Sequence, residues 1–165
     1  MACITQYLGQ KNNMKLTAKD IEYAVAKYIN WRRSLIVPNV SWGLGFEHEL
    51  DLAVVSKARY LKEIEIKVSL ADLKADMNKK CWHVDKENRI KELWFAVPEE
   101  LQEQALSILP ETVGIYVVKG KKVREVRKAK AIPKARPLSE KEMEKLYHLL
   151  SMRVWAMRKS AMKRK

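Results

Sequence analysis

An α/β domain of the α+β kind, with a mixed central sheet flanked by helices, is predicted by three features of the chain. Two runs, Glu49 to Leu52 and Glu63 to Val68, alternate charged and apolar residues and so read as neighbouring strands. After Lys67 the spacing becomes helical, with Leu70, Leu73 and Met77 apolar and Ser69 placed as N-cap. Two mostly apolar runs, 91–98 and 113–118, supply a central strand stopped by Pro98 and a further buried one.

A chain of 165 residues, 47% apolar, can bury the core of one domain, and it has no apolar run long enough to span a membrane. Its net charge of +13 implies a polyanionic partner, nucleic acid foremost, with ribosomes or an anionic membrane face as the other classes. Cys3 and Cys81 match neither zinc nor thioredoxin spacing, and the start MACITQYLGQKNN lacks an apolar leader region. A cytoplasmic protein without membrane partners is expected.

Taken in order, residues 1–16 carry no clear period and read as an N-terminal arm; 17–130 form the main domain, and 131–165 a basic C-terminal helix and tail. Thr17 and Asp20 have the spacing of a capping box, and Ile21, Ala24, Val25, Tyr28 and Ile29 form a helical stripe behind it. Glu22 lies off that stripe, as a solvated helix residue or an auxiliary metal or water contact. A strand follows at 34–41, with Pro38 marking it as an edge or a broken strand. Trp42 to Phe46 make a flexible connection whose glycines lack the dinucleotide fingerprint; Trp42 is either core or free to stack on a base.

The two alternating strands form a hairpin whose register is set by keeping like faces together, which requires an odd loop centred on Ala58. Leu52 then faces Ile64 and Leu50 faces Ile66 on a buried side, while Asp51 meets Glu65 and Glu49 meets Lys67 on the other. Carboxylates set opposite one another need a cation, either Lys67 or a bound metal. On the next helix Asp72 and Asp76 share a face, with Lys79 and Lys80 a turn later: a solvated face, or lysines that grip phosphates. Trp82 and His83 close this segment.

A short helix is expected over 101–109, and Gly120 turns the chain into a hairpin partner over 122–126. Basic residues crowd from Lys119 to Arg136, and Lys121, Lys122, Arg124 and Arg127 among them make either a phosphate-binding surface or a solvated edge. Ser139 and Glu142 cap a last helix carrying Met143, Leu146, Tyr147, Leu150, Val154 and Met157 on one side, packed on the domain or laid on a partner or membrane surface.

The order helix, three strands, helix, strand, with Asp51 on the second strand and Glu65-Ile66-Lys67 on the third, resembles the PD-(D/E)XK nuclease superfamily. The run Glu65 to Asp76, the strand Trp94-Phe95-Ala96-Val97-Pro98 and the segment Leu109 to Gly114 are similar to its MmcB-like DNA-repair members, over roughly residues 17–130. Two departures are visible. Leu50 stands where the superfamily's name has proline, and the lysines after Asp76 come later than in related proteins. The resemblance implies a restriction-endonuclease-like αβββαβ core with an added C-terminal β-hairpin and helix. It also implies a metal-dependent DNA endonuclease of DNA repair or of phage or bacterial DNA processing. Asp51, Glu65 and the carbonyl of Ile66 would hold Mg2+ or Mn2+, and Lys67 would orient water or stabilise the transition state. Glu49 or Glu63 would steady these ligands, with Glu22 and Asp72 auxiliary. A homodimer would suit double-strand cleavage. The alternative is a catalytically inactive DNA- or RNA-binding module that keeps the fold.

Overall fold

The computed structural model describes residues 15–41, 44–78 and 85–163, and the first helix of that range is started by side chains at its own N-terminus. Helix α1 (Ala18–Ile29) begins at Thr17, whose hydroxyl accepts from the Asp20 amide while the Asp20 carboxylate takes the Thr17 amide, and ends at Asn30 in the left-handed conformation. Leu16, just before it, already packs on the core, so the expected arm ends before this residue; residues 1–14 lie outside the described residues.

Six strands then build one sheet in sequence order: β1 (Leu35–Val40), β2 (Leu50–Val55), β3 (Leu61–Ile66), β4 (Ile90–Pro98), β5 (Gly114–Lys119) and β6 (Lys122–Arg127). The first three are antiparallel neighbours, β3, β4 and β5 run parallel, and β6 returns antiparallel. The parallel crossovers carry α2 (Leu70–Met77) and α3 (Gln102–Ile108), and α4 (Glu140–Met162) follows β6. This is the expected αβββαβ core, a mixed restriction-endonuclease-like arrangement, with the expected hairpin and helix appended. β1 is an edge strand, which is where Pro38 can sit without breaking a ladder on both sides.

Both faces of the sheet are covered. On one, Ile21, Ala24 and Val25 of α1 meet Leu52, Val54, Ile64, Ile66, Trp94 and Tyr116. Full burial of a residue such as Ile21 stabilises by about 2 kcal/mol. On the other, Leu138 and Leu146 pack on Val37, Ala53, Val55 and Leu61, while α2 and α3 place Leu73, Ala105 and Leu109 against Phe95, Val97 and Ile115. The C-terminal segment is therefore part of the domain at its start. Leu146 is buried, yet every residue from Val154 to Lys163 is exposed, so the stripe expected to pack through Val154 and Met157 stops contributing at Arg153.

The hairpin loop is centred on Ala58 as expected, with Leu52 opposite Ile64 and Val55 opposite Leu61. Two expectations fail. Leu50 does not share a cluster with Leu52 but joins Val37, Val40 and Leu146, beside Asn39, which takes a positive φ of 49°. Nor is the charged side of the hairpin an open surface: Glu63 and Glu65 are 0% and 2% exposed, because the sheet is covered on that side too.

Candidate functional site

The seam between the two apolar clusters on the α2 and α4 side is where the acids of β2 and β3 meet. Glu63 and Glu65 follow Leu61 on the same face of β3 by strand alternation. Beyond Leu52 the β2–β3 ladder gives way to a side-chain contact in which the Ile66 amide donates to Asp51 Oδ2 at 2.7 Å. Lys67 leaves β2 altogether. Its amide donates to the Ala96 carbonyl of β4, so the expected Glu49–Lys67 pair does not form. Glu49 is exposed instead, within the field of Arg153.

The Lys67 ammonium is clamped between Glu65 Oε2 at 2.7 Å and Asp76 Oδ1 at 3.1 Å, and lies 5.9 Å from the centre of the Phe95 ring. Burial works against its charge, but Glu65 and Asp76 outweigh that and hold its pKa above the usual lysine value. Glu65 is pushed up to about 7, chiefly by burial and then by the charge of Asp51, with Lys67 opposing and Glu63 adding. Its Oε1 is buried and accepts no hydrogen bond from the described residues. Glu63 Oε1 lies 2.6 Å from His48 Nε2, and one ligand atom each of His48, Glu63 and Glu65 lie within 4.8 Å of one another.

Of the sequence-predicted residues, Asp51, Glu65, Ile66, Lys67 and Glu63 are brought together. Glu22 is half-buried on α1 and feels Asp51: burial first, then that neighbouring charge, raises its pKa, while Lys19 and Arg153 oppose. Asp72 is not at the centre. It is exposed, and accepts from the Ser69 hydroxyl at 2.6 Å as part of the α2 cap. Asp76, one turn on, is the buried acid that reaches the site, because the helix turns the position beside Leu73 and Met77 inward. His48 is the other residue missed; it precedes β2 among Glu47, Glu49 and Asp51, and a histidine inside an acidic run just before a strand is the signal that marks it.

The basic candidates divide. Arg127 is not free for phosphate, since its guanidinium donates to the carbonyls of Val113 at 2.8 Å and Leu109 at 3.1 Å, where it closes the end of α3. Arg124 is engaged by Gln102 at 2.9 Å and Glu99 at 3.7 Å. Lys121 and Lys122 are exposed in the β5–β6 turn. Because β3, β4 and β5 are parallel, that turn, Pro98 and Lys67 all lie at the same end of the sheet, with β5 about 10 Å across from β3. A groove lined by Val68, Ser69 and Leu70 shares Lys15 and Glu100 with a second one lined by Tyr23, Lys27, Lys119 and Lys121, so basic side chains extend from beside Lys67 to the turn. Lys79, Lys80, Trp82, His83 and Trp42, and both cysteines, lie outside the described residues. No helix among the described residues is long and apolar enough to cross a membrane.

No protein-family model matches the chain, and none of the curated protein sequences does. Among solved structures it is similar to a protein of unknown function from Silicibacter pomeroyi, SPO1766, at 19% identity, with a TM-score of 0.67 over 88% of this chain and 94% of that one. At that identity the likeness concerns the fold, and it extends over nearly the whole of both chains.

Proposed function

We propose that the protein is a metal-dependent DNA endonuclease whose centre is Asp51, Glu65, the carbonyl of Ile66 and Lys67. The observation that carries this reading is Glu65: a buried carboxylate with one oxygen on Lys67, the other without a hydrogen bond from the described residues, and a pKa raised first by burial and then by the charge of Asp51. Buried charges that persist are paired or bound to metal, and hard oxygen donors suit Mg2+ or Mn2+. When bound, the ion would polarise the scissile phosphate and lower the pKa of its water.

The chain's own residues account for the rest. Lys67 keeps its proton at neutral pH, because Glu65 and Asp76 raise its pKa; it is therefore a donor to charge developing on the phosphate rather than a base. Asp76 positions the ammonium. The Ile66 amide fixes the Asp51 carboxylate, so little reorganisation is needed when a ligand arrives. Lys15, Lys27, Lys119, Lys121 and Lys122 would grip the phosphate backbone along the groove at this end of the sheet. A role in DNA repair or in phage or bacterial DNA processing, and pairing into a dimer for double-strand cuts, are part of the proposal.

Supercoiled and linear DNA incubated with Mg2+ or Mn2+ should be nicked or cut. Asp51→Asn and Glu65→Gln should lower the rate by about 100-fold or more while the circular dichroism spectrum is kept. Equal rates in wild type and both variants, or cleavage indifferent to EDTA, would reject it. The closed Lys67–Glu65–Asp76 network favours a second reading, an inactive DNA- or RNA-binding module in which these groups are only a buried ion pair. That reading requires salt-sensitive binding with no cleavage under any divalent ion.

A further inference from the structure

We infer that His48, Glu63 and Glu65 form a second cation position, one with a nitrogen donor, that takes a borderline first-row ion of the Zn2+ class rather than Mg2+. The inference shares Glu65 with the proposed nuclease centre, but its other two ligands, His48 and Glu63, do not belong to that centre. Two observations carry it. One ligand atom from each of the three side chains lies within 4.8 Å of the others, which is the spacing of groups that can converge on one ion. Independently, Glu65, at 2% exposure, buries an Oε1 that accepts no hydrogen bond from the described residues. A carboxylate oxygen in that state costs free energy unless a cation reaches it.

The chemistry of the donors selects the ion. Imidazole suits zinc and its neighbours in the first row, whereas Mg2+ keeps an all-oxygen, mostly water shell. Three protein ligands, one histidine and two glutamates, leave one position of a tetrahedral zinc shell for water. His48 Nε2 and Glu63 Oε1 stand at 2.6 Å as a hydrogen-bonded pair, and two ligands on a tetrahedral zinc are about 3.3 Å apart given bonds near 2.0 Å. Binding therefore replaces that hydrogen bond and asks His48 to retreat by less than an ångström. The segment that carries it, 44–49, has no regular structure to resist this. Glu63 is wholly buried, so an ion here would not reach a phosphate.

The test is a titration of the full chain with Zn2+ by calorimetry in excess Mg2+, paired with Co2+ absorption as an optical probe. Wild type should bind about one equivalent of Zn2+ that Mg2+ does not displace, and show visible Co2+ bands without a sulfur-to-metal charge-transfer band. His48→Gln, at a partly exposed position that leaves the fold intact by thermal melt, should weaken binding by about 100-fold. Asp51→Asn should leave it unchanged. Equal affinity in wild type and His48→Gln overturns the proposal, as does a charge-transfer band, which would place the ion on a cysteine, or loss of binding in Asp51→Asn. Zinc bound through His48 by a protein that cleaves no DNA would reject the nuclease reading and keep this one; cleavage without such a site would do the reverse.

Discussion

Lys67 is held by two carboxylates that are themselves almost wholly buried, and this decides what its loss would do. Removing one partner of a buried ion pair leaves the others charged and desolvated, which costs more than the pair ever contributed. Lys67→Met should therefore destabilise the metal-free protein by about 3 kcal/mol, and Lys67→Met with Glu65→Gln should recover part of that, read from urea unfolding midpoints. Equal midpoints in wild type and Lys67→Met would mean that water already screens the cluster. At this scale the sequence was readable where alternation alone decides a neighbour. Asp51 and Glu65 could be set near one another from parity. Asp76 could not be separated from Asp72, because both lie on the exposed-looking side of a short helix and only the depth of Leu73 tells which is turned inward. Arg127 looked like one more cation in a basic run, and its capture by the Val113 and Leu109 carbonyls depends on where α3 ends, which no pattern in the run records.

Among elements, the strands and helix caps were legible because each rests on local chemistry: Thr17 with Asp20, Ser69 at the start of α2, Ser139 with Glu142. The hairpin register followed from one rule, that apolar faces stay together. Where β1 and β2 meet, that rule fails at Leu50, and a long-range contact lies beside it. Arg153, from the middle of α4, donates to the carbonyls of Pro38 and Asn39, where Asn39 takes its positive φ opposite the Leu50 end of β2. No periodicity in 34–52 could disclose a partner more than a hundred residues later. The contact is also the last that α4 makes with the sheet before its residues become exposed from Val154 on. Arg153→Ala should remove two charge-assisted donors from edge-strand carbonyls and cost about 2 kcal/mol, whereas cutting the chain after Arg153 should leave the unfolding midpoint within about 0.5 kcal/mol. Hydrogen exchange at β1 separates the two variants, since only the first should loosen that edge.

At the scale of the molecule, charge fastens the C-terminal helix to the rest of the chain. A strap of charged contacts ties the segment before α4 to the loop before β4. Arg136 bridges Glu142 at 2.8 Å and Glu87 at 2.8 Å, Arg89 pairs with Asp85 at 2.7 Å and approaches Glu142 at 3.8 Å, and its guanidinium also reaches the Leu44 carbonyl. The C-terminal helix is thus fastened to the same loops that flank His48. Arg136 and the Ser139 cap together hold the Glu142 carboxyl down to about 2, against an ordinary value of 4.5. Such a depressed acid favours the folded state whenever it is ionised. Its contribution is complete above about pH 4.5, where the unfolded chain's glutamate is also ionised, and is lost as pH falls toward 2 and the folded form takes up the proton. The thermal midpoint of wild type should therefore exceed that of Glu142→Gln at pH 7, and the difference should shrink through pH 4 and vanish near pH 2. The comparison cancels the other carboxylates that titrate in the same range. Because the Arg136 side chain is itself partly exposed to solvent, the gap should also narrow in 1 M salt without closing, since the cap hydrogen bonds to Ser139 remain. A gap that is flat from pH 7 to 2 would show that the strap works through packing of α4 on Leu138 and Leu146 and not through this charge.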